Sequence, residues 1–250
     1  MKQLLESKTP WMNAAGTMGY APSENWRIAL PQGVFVTNPV SLYARTPAHS
    51  RMLLEMDGSV FLHTGLPNPG FKEIVKKYAR WWGRSELPIW VHILAENTKD
   101  IEEMVLVLEE MDHVQAIELG LNPQISLTEA LACIEAASGE LPVVASAPFE
   151  VASREFCIQM AVHGASAISL QSPRASIRTE AFDFVNGRMD GPFLFPLTLN
   201  KILALSDLDI PIIAGAGVND EKDAQDLLDA GAWAVQFHTM LWRGKENLIL

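Results

Sequence analysis

The stretch from Ile210 to Thr239, IPIIAGAGVNDEKDAQDLLDAGAWAVQFHT, contains the pattern that decides the fold. A short apolar run, PIIAGA at 211–216, precedes a polar segment, and a second apolar run follows, AVQFHT at 234–239. The polar segment predicts a helix over Asp220–Ala230 that Gly231 closes, since glycine commonly ends helices. Short runs that are apolar on both faces and flank a helix predict buried parallel strands joined by a crossover helix.

The same alternation extends over the rest of the chain. Comparable runs are GVFVTN at 33–38, IWVHIL at 89–94, AIELGL at 116–121, PVVASA at 142–147 and AISLQS at 167–172. Adding WMNAAG at 11–16 and VFLHTG at 60–65 gives nine candidates, and we interpret 60–65 as a short strand or loop. The pattern predicts an α/β fold, a (β/α)8 (TIM) barrel of eight parallel strands.

Two further features bear on this architecture. A doubly wound open sheet is the alternative, but the chain has no G-x-G-x-x-G turn after its first strand. No linker divides the sequence, so we expect a single domain over residues 1–250. The excursion at 173–196 is long enough to form a loop over a site at the barrel mouth.

Composition narrows the classes of function. The 250 residues are 48% apolar and 20% charged, and the net charge of −11 opposes contact with nucleic acids or anionic membranes. Cys133 and Cys157 lie in separate helical stretches, which indicates neither a disulfide framework nor a cysteine metal site. With no signal-peptide or transmembrane pattern, we expect a cytoplasmic protein that binds a small molecule.

Seven motifs, taken in order, resemble those of one enzyme family. They are NAAGTMGY (13–20), VTNPV (36–40), GLPNPG (65–70), AIEL (116–119), GRMDGP (187–192), IPIIAGAGV (210–218) and AGAWAVQFHT (230–239). Their order and spacing resemble dihydroorotate dehydrogenase, a family of FMN-binding barrels. The resemblance implies a flavoprotein oxidoreductase of pyrimidine biosynthesis that oxidises dihydroorotate to orotate. It also implies an FMN whose phosphate lies between the last two strands and whose ring lies over the barrel mouth.

The resemblance assigns a set of residues to the cofactor. They are Ala15, Gly16, Asn38, Gly191, Gly215, Ala216, Gly217, His238 and Thr239. Small residues allow close backbone approach, and N–H groups at a helix start can hold a phosphate, although such glycines can also serve only as tight turns. The phosphate site is altered, because Ala214, Ala216 and His238 stand where the family has glycines.

The chain departs from the family where the chemistry is expected. Family members carry a lysine at the position of Asn38 and another on the strand over Pro142–Ala147, which has none. Of the asparagines that line the family's substrate pocket, the matching positions hold Leu62, Gly120 and Ser172, while Asn68 and Asn122 remain. We therefore expect weak or absent turnover of dihydroorotate.

The family's proton-abstracting residue has no clear counterpart. The loop after the AIELGL run at 116–121 is shorter than in the family and spans only Asn122–Ile125. Ser126 follows it directly. Ser126 is either a candidate base or the N-cap of the next helix, in a capping box with Glu129. We assign no catalytic residue from the sequence.

Other residues leave a competing interpretation open. If strand alternation points His92, Glu118 and His238 inward, they form a metal site or an acid–base pair; alternatively they are hydrogen-bonded core residues. Their spacing carries no metal-ligand pattern, and we assign no metal ligand. Three hypotheses follow: an FMN oxidoreductase with altered activity, a degenerate barrel that acts in binding or assembly, and a metal or acid–base enzyme.

The chain end predicts self-association. Only eleven residues follow Thr239, where the family continues with a closing C-terminal helix. An uncovered barrel flank would expose apolar surface, so we expect a homo-oligomer.

Overall fold

The computed structural model describes residues 9–22, 33–49, 51–179 and 183–242. Its strands are β1 (Trp11–Asn13), β2 (Phe35–Val36), β3 (Met52–Met56), β4 (Ser59–His63), β5 (Ile89–Leu94), β6 (Val114–Gly120), β7 (Val143–Ala147), β8 (Ala167–Leu170), β9 (Arg174–Arg178), β10 (Phe184–Asp190), β11 (Ile212–Ala214) and β12 (Ala234–Phe237). Its helices are α1 (Phe71–Trp82), α2 (Thr98–Glu109), α3 (Leu127–Ala137), α4 (Arg154–Val162), α5 (Phe195–Leu205) and α6 (Glu221–Asp229).

Eight parallel strands form the predicted barrel. Their order is β1-β12-β11-β8-β7-β6-β5-β2, and the edges β1 and β2 meet at a bridge between Met12 and Val34. The side chain of Asn13 strengthens this seam: its amide nitrogen donates to the Val36 carbonyl (2.7 Å) and its oxygen accepts from the Val36 N–H (2.8 Å). A side-chain amide thus completes the closure of the barrel.

The helices pack on the outside of the barrel through apolar stripes. In α2 the residues Ile101, Met104, Val105 and Leu108 are buried, as the helical spacing predicts. The capping box at the start of α3 is confirmed, because Ser126 and Glu129 exchange hydrogen bonds. Among the described residues, no helix combines the length and apolar character that a membrane span requires.

A second sheet covers part of the barrel. It is antiparallel, with the order β3-β4-β10-β9. The interpretation of 60–65 as a short strand outside the barrel is confirmed, since Ser59–His63 pairs with β3 and β10. In the described part of the 173–196 excursion, β9 and β10 pair as antiparallel strands, and a 3-10 turn over Pro192–Leu194 and the start of α5 follow. The predicted shortening at the chain end concerns residues 243–250, which lie outside the described residues.

The Gly215→Ala substitution tests the contact between the last two barrel strands. An added Cβ would lie 1.6 Å from the backbone oxygen of Gln236, so the strands would have to separate. We expect a loss of about 3 kcal/mol in the free energy of unfolding, measured by urea denaturation. Gly83→Ala is the control, because Gly83 has a helical φ of −61° and its nearest contact is the exposed side chain of His113. Equal effects of the two substitutions would contradict this packing.

Candidate active site at the mouth of the barrel

The barrel interior changes from apolar to polar along its axis. An apolar layer includes Trp90, Ala116, Val144, Ala167 and Ala234. Side chains of a strand alternate between faces, so the inward positions of the next layer lie two residues further along. These positions hold His92, Glu118, Ser146, Ser169 and Gln236, all buried. The polar layer lies at the carboxyl ends of the strands, where barrel enzymes build their sites.

Glu118 is the centre of the polar layer. One oxygen, Oε2, lies 2.6 Å from Nδ1 of His92, and Oε1 accepts from the amide of Gln236 at 2.7 Å. The Gln236 oxygen in turn accepts from the hydroxyl of Ser169 at 2.9 Å. Burial by itself raises the pKa of Glu118, but the hydrogen bonds from His92 and Gln236 lower it below its ordinary value, and a positive charge on His92, when that ring is protonated, lowers it further. Glu118 is therefore an ionised, buried carboxylate.

The ring of His92 occupies space that Gly120 leaves free. A Cβ on Gly120 would lie 2.3 Å from Nε2 of His92, so any larger residue at position 120 would displace the ring. Because the ionised Glu118 accepts at Nδ1, that nitrogen carries a proton, and in the neutral form of the ring Nε2 presents a lone pair. This arrangement is that of a histidine oriented by a buried carboxylate.

Asp190 connects the end of β10 to the loops after β11 and β12. Its carboxylate accepts from the N–H of Gly217 (3.1 Å), from the N–H of Thr239 (3.0 Å) and from the hydroxyl of Thr239. Burial opposes ionisation of Asp190, but the hydrogen bonds from Thr239 and Gly217 hold its pKa below the ordinary value, and a positive charge on His238 acts in the same direction whenever that ring is protonated. A buried anion thus lies between the last two strands.

His238 lies beside Asp190, but its hydrogen-bond partner is Ser172. Its Nδ1 is 3.1 Å from the hydroxyl of Ser172, and its buried Nε2 has no hydrogen-bond partner among the described residues. Burial lowers the pKa of His238, although the carboxylate of Asp190 acts in the opposite direction. The ring is therefore neutral at pH 7.

Arg188 extends from β10 toward the loop after β1. A Cβ on Gly16 would lie 3.5 Å from its Nη2 atom. Burial lowers the pKa of Arg188, while Asp190 and Glu118 raise it. Within the described part of the chain, no hydrogen bond or ion pair engages this guanidinium. A cation therefore lies across the barrel mouth.

The residues predicted for the cofactor fall into two groups. Gly217 and Thr239 meet at Asp190, next to His238, and Gly16 lies beside Arg188. The others have structural contacts: the Asn38 oxygen accepts from the Gly19 N–H at 3.0 Å, and Cβ atoms on Gly191 and Gly215 would collide with Ser59 and Gln236. Ala15 and Ala216 are buried close to these loops.

The residues predicted for substrate do not lie together. Asn68 is buried, and its amide binds Ser41 and the N–H of Gly70. Asn122 accepts from the N–H of Gln124 and lines a separate groove between the loops after β5 and β6. These asparagines hold local turns in place.

The sequence interpretation missed Asp190, Arg188 and Gln236. Arg188 and Asp190 belong to the GRMDGP motif and are two residues apart, a spacing that places both side chains on the same face of a strand. Only the pairing of β10 shows where that face lies. Within the described residues, no group of three His, Cys, Asp or Glu side chains is arranged to hold a metal. His92 and Glu118 converge, whereas His238 joins Ser172 and Asp190.

The fold and the polar mouth define a (β/α)8 barrel of the kind that carries its site at the carboxyl ends of the strands. No family model matches the chain. Two curated relatives, both named dihydroorotate dehydrogenase B (NAD(+)), catalytic subunit, are each 26% identical. The one from Pelobacter propionicus matches over 259 residues, covering 94% of this chain and 84% of the relative. The one from Petrotoga mobilis matches over 262 residues, covering 94% and 85%.

A solved structure of DHODH in complex with ferulenol, from Eimeria tenella, has a TM-score of 0.73 to this chain. The match covers 94% of this chain and 77% of the Eimeria tenella chain, at 16% sequence identity. This similarity shows the fold. The chain is therefore similar in sequence to these curated dihydroorotate dehydrogenases and similar in fold to the DHODH structure.

The residues at the mouth do not fit the phosphate of FMN. The N–H groups of Gly217 and Thr239 and the Thr239 hydroxyl, which the resemblance assigns to that phosphate, are bound to the carboxylate of Asp190. A phosphate at this position would be brought against a buried negative charge. Arg188 lies beside Gly16, another residue that the resemblance assigns to the cofactor.

The depressed pKa of His238 predicts a pH dependence of stability. As pH falls, the unfolded chain takes up a proton near pH ~6.5, before the folded protein does. The contribution of this neutral ring to stability is therefore complete above about pH 6.5 and is lost on acidification. We expect the His238→Gln variant to lose less of its free energy of unfolding between about pH 7 and 5 than the wild type, measured by urea denaturation.

The exposed His113→Gln variant, which lies directly before the amino end of β6 and thus away from the mouth, controls for the loss of a histidine. Identical pH slopes for the wild type and the His238→Gln variant would contradict the neutral, buried state of His238.

Proposed function

We propose that this protein is a dihydroorotate dehydrogenase-like barrel that binds a small molecule at its mouth and oxidises dihydroorotate weakly or not at all. The homology supports the class of scaffold. The observation that carries the loss of activity is that the polar side chains expected to serve cofactor and substrate are hydrogen-bonded within the protein itself.

The positive charge expected beside a reduced flavin is missing at two positions. Asn38, at one lysine position, is neutral and holds the N–H of Gly19. Ser146 is the neutral inward residue of β7, on the strand where the second lysine is expected. Without these cations, an electron-rich ring at the mouth would lose electrostatic stabilisation.

Recognition of a planar amide ring is also weakened. A buried ring with amide groups needs paired donors and acceptors. Gly120 supplies no side chain, and Asn68 is engaged by Ser41 and Gly70. Leu62 is apolar, and Ser172 is 3.1 Å from His238.

Ser126 does not supply the missing base. Its hydroxyl donates to the carboxylate of Glu129 at 2.7 Å and accepts from the Glu129 N–H. This hydroxyl therefore serves the start of α3, as a capping box requires.

A second candidate function is acid–base chemistry on a small molecule, and the 2.6 Å contact between His92 and Glu118 favours it. Glu118 holds the proton on Nδ1 and stabilises a positive charge on the ring. The Nε2 atom is then the position at which a proton would be exchanged with a bound molecule. We further propose one barrel domain over residues 1–250 and self-association into a homo-oligomer.

Dihydroorotate oxidation is tested by orotate absorbance with a dye as electron acceptor. We expect no orotate above the blank at micromolar protein, with or without added FMN, because the cations, amides and base are replaced. A dihydroorotate dehydrogenase assayed in parallel is the positive control. Steady orotate formation at catalytic protein concentrations would refute the proposal.

The acid–base candidate is tested by the tautomer of His92, read from nitrogen-15 NMR of histidine-labelled protein at neutral pH. We expect the neutral form of the ring to be protonated at Nδ1, because the ionised Glu118 accepts there. Glu118→Gln should weaken this preference, and Asp209→Asn, a loss of charge on an exposed residue, should not. A wild-type ring protonated only at Nε2 would contradict the arrangement.

A further inference from the structure

Three hydrogen-bond donors converge on one point between the last two barrel strands. They are the N–H of Gly217, the N–H of Thr239 and the hydroxyl of Thr239, and all three point to the carboxylate of Asp190. Backbone N–H groups that converge in this way form a concave site for an anion. In this structure the anion is a side chain of the protein itself, the carboxylate of Asp190. Asp190 is only 4% exposed.

Asp190 is held in this position by the covering sheet. It pairs with Val60 of β4 at the end of β10. The next residue, Gly191, packs so closely that a Cβ would lie 2.3 Å from the hydroxyl oxygen of Ser59. The position of the carboxylate is thus fixed by the end of a paired strand.

The donors are fixed as well. Gly217 has a φ of +86°, and a Cβ there would lie 2.2 Å from the backbone nitrogen of Phe195 at the start of α5. Removing the Asp190 carboxylate would leave buried N–H groups without an acceptor, which is energetically unfavourable. That cost favours any anion that can take the place of the carboxylate.

Two further groups leave hydrogen-bonding capacity next to this point. The Nε2 atom of His238 is buried and has no partner among the described residues. The guanidinium of Arg188, two residues before Asp190 on the same strand, makes no ion pair within the described part of the chain. Both groups can interact favourably with a bound anion. The position between the N–H groups of Gly217 and Thr239, however, is already filled by the carboxylate of Asp190.

We propose that Asp190 determines specificity at the mouth: its carboxylate fills a latent phosphate site and excludes ligands that carry a phosphate group there. The molecule bound by the wild-type protein then has no phosphate at this end. This inference concerns the class of ligand and extends the proposed function, but its test requires no turnover.

The test compares the wild type with Asp190→Ser, which removes the carboxylate and leaves a small polar side chain. Thermal unfolding is followed in inorganic phosphate and in chloride at equal ionic strength, and FMN and riboflavin binding is followed by flavin fluorescence. We expect the Asp190→Ser variant to be stabilised by phosphate and to bind FMN about tenfold or more tightly than riboflavin, because charge-assisted hydrogen bonds replace those of the carboxylate. The wild type should show neither preference.

Two other variants complete the experiment. Asp209→Ser, an exposed residue in the turn before β11, removes the same charge and should behave as the wild type. Asp190→Ala removes the side chain beyond Cβ and so also empties the position, and it decides the question if circular dichroism shows that Asp190→Ser is unfolded. A preference for FMN over riboflavin in the folded variant supports the proposal.

Two results would overturn the inference. One is a wild type that is stabilised by phosphate and prefers FMN as strongly as the variant. The other is a folded Asp190 variant without any response to phosphate. Orotate formation by the wild type bears on the proposed function alone, so the two proposals can fail separately.

Discussion

Closure of the barrel forces alternate residues of every strand into its interior, and this constraint governs the rest of the structure. Any polar group at an inward position must find its partner inside the barrel, because burial without hydrogen bonds is costly. Trp90 and Ala116 lie in the apolar layer, and His92 and Glu118 follow in the polar layer. The network around Glu118 is the consequence, since an ionised carboxylate there requires both His92 and Gln236.

The covering sheet adds charges that the barrel strands do not supply. Through β10 it brings Arg188 to the loop that follows β1, and Asp190 to the loops that follow β11 and β12. Three loops of the mouth are thereby connected to one strand outside the barrel. The chain has the barrel scaffold of the dihydroorotate dehydrogenases that it resembles, and the carboxylate of Asp190 engages N–H groups of the loops after β11 and β12.

The sequence predicts the parts of this structure that depend on local pattern. Alternating strands and helices predict the barrel, and the Ser126–Glu129 spacing predicts the capping box. Parity along β5 and β6 allows His92 and Glu118 to meet. Asp190 could not be placed in the same way, because its donors are 27 and 49 residues away, and the segment that carries it has the composition of a loop. The part of the site that depends on pairing between distant segments therefore required the structure.

The central claim is that the mouth is occupied by charged groups of the chain itself. A crystal structure of the wild-type protein grown in phosphate at high concentration tests it most directly. The account predicts the Asp190 carboxylate between the N–H groups of Gly217 and Thr239, with no phosphate at that position. A phosphate bound to these two N–H groups, with the Asp190 side chain turned away, would contradict it.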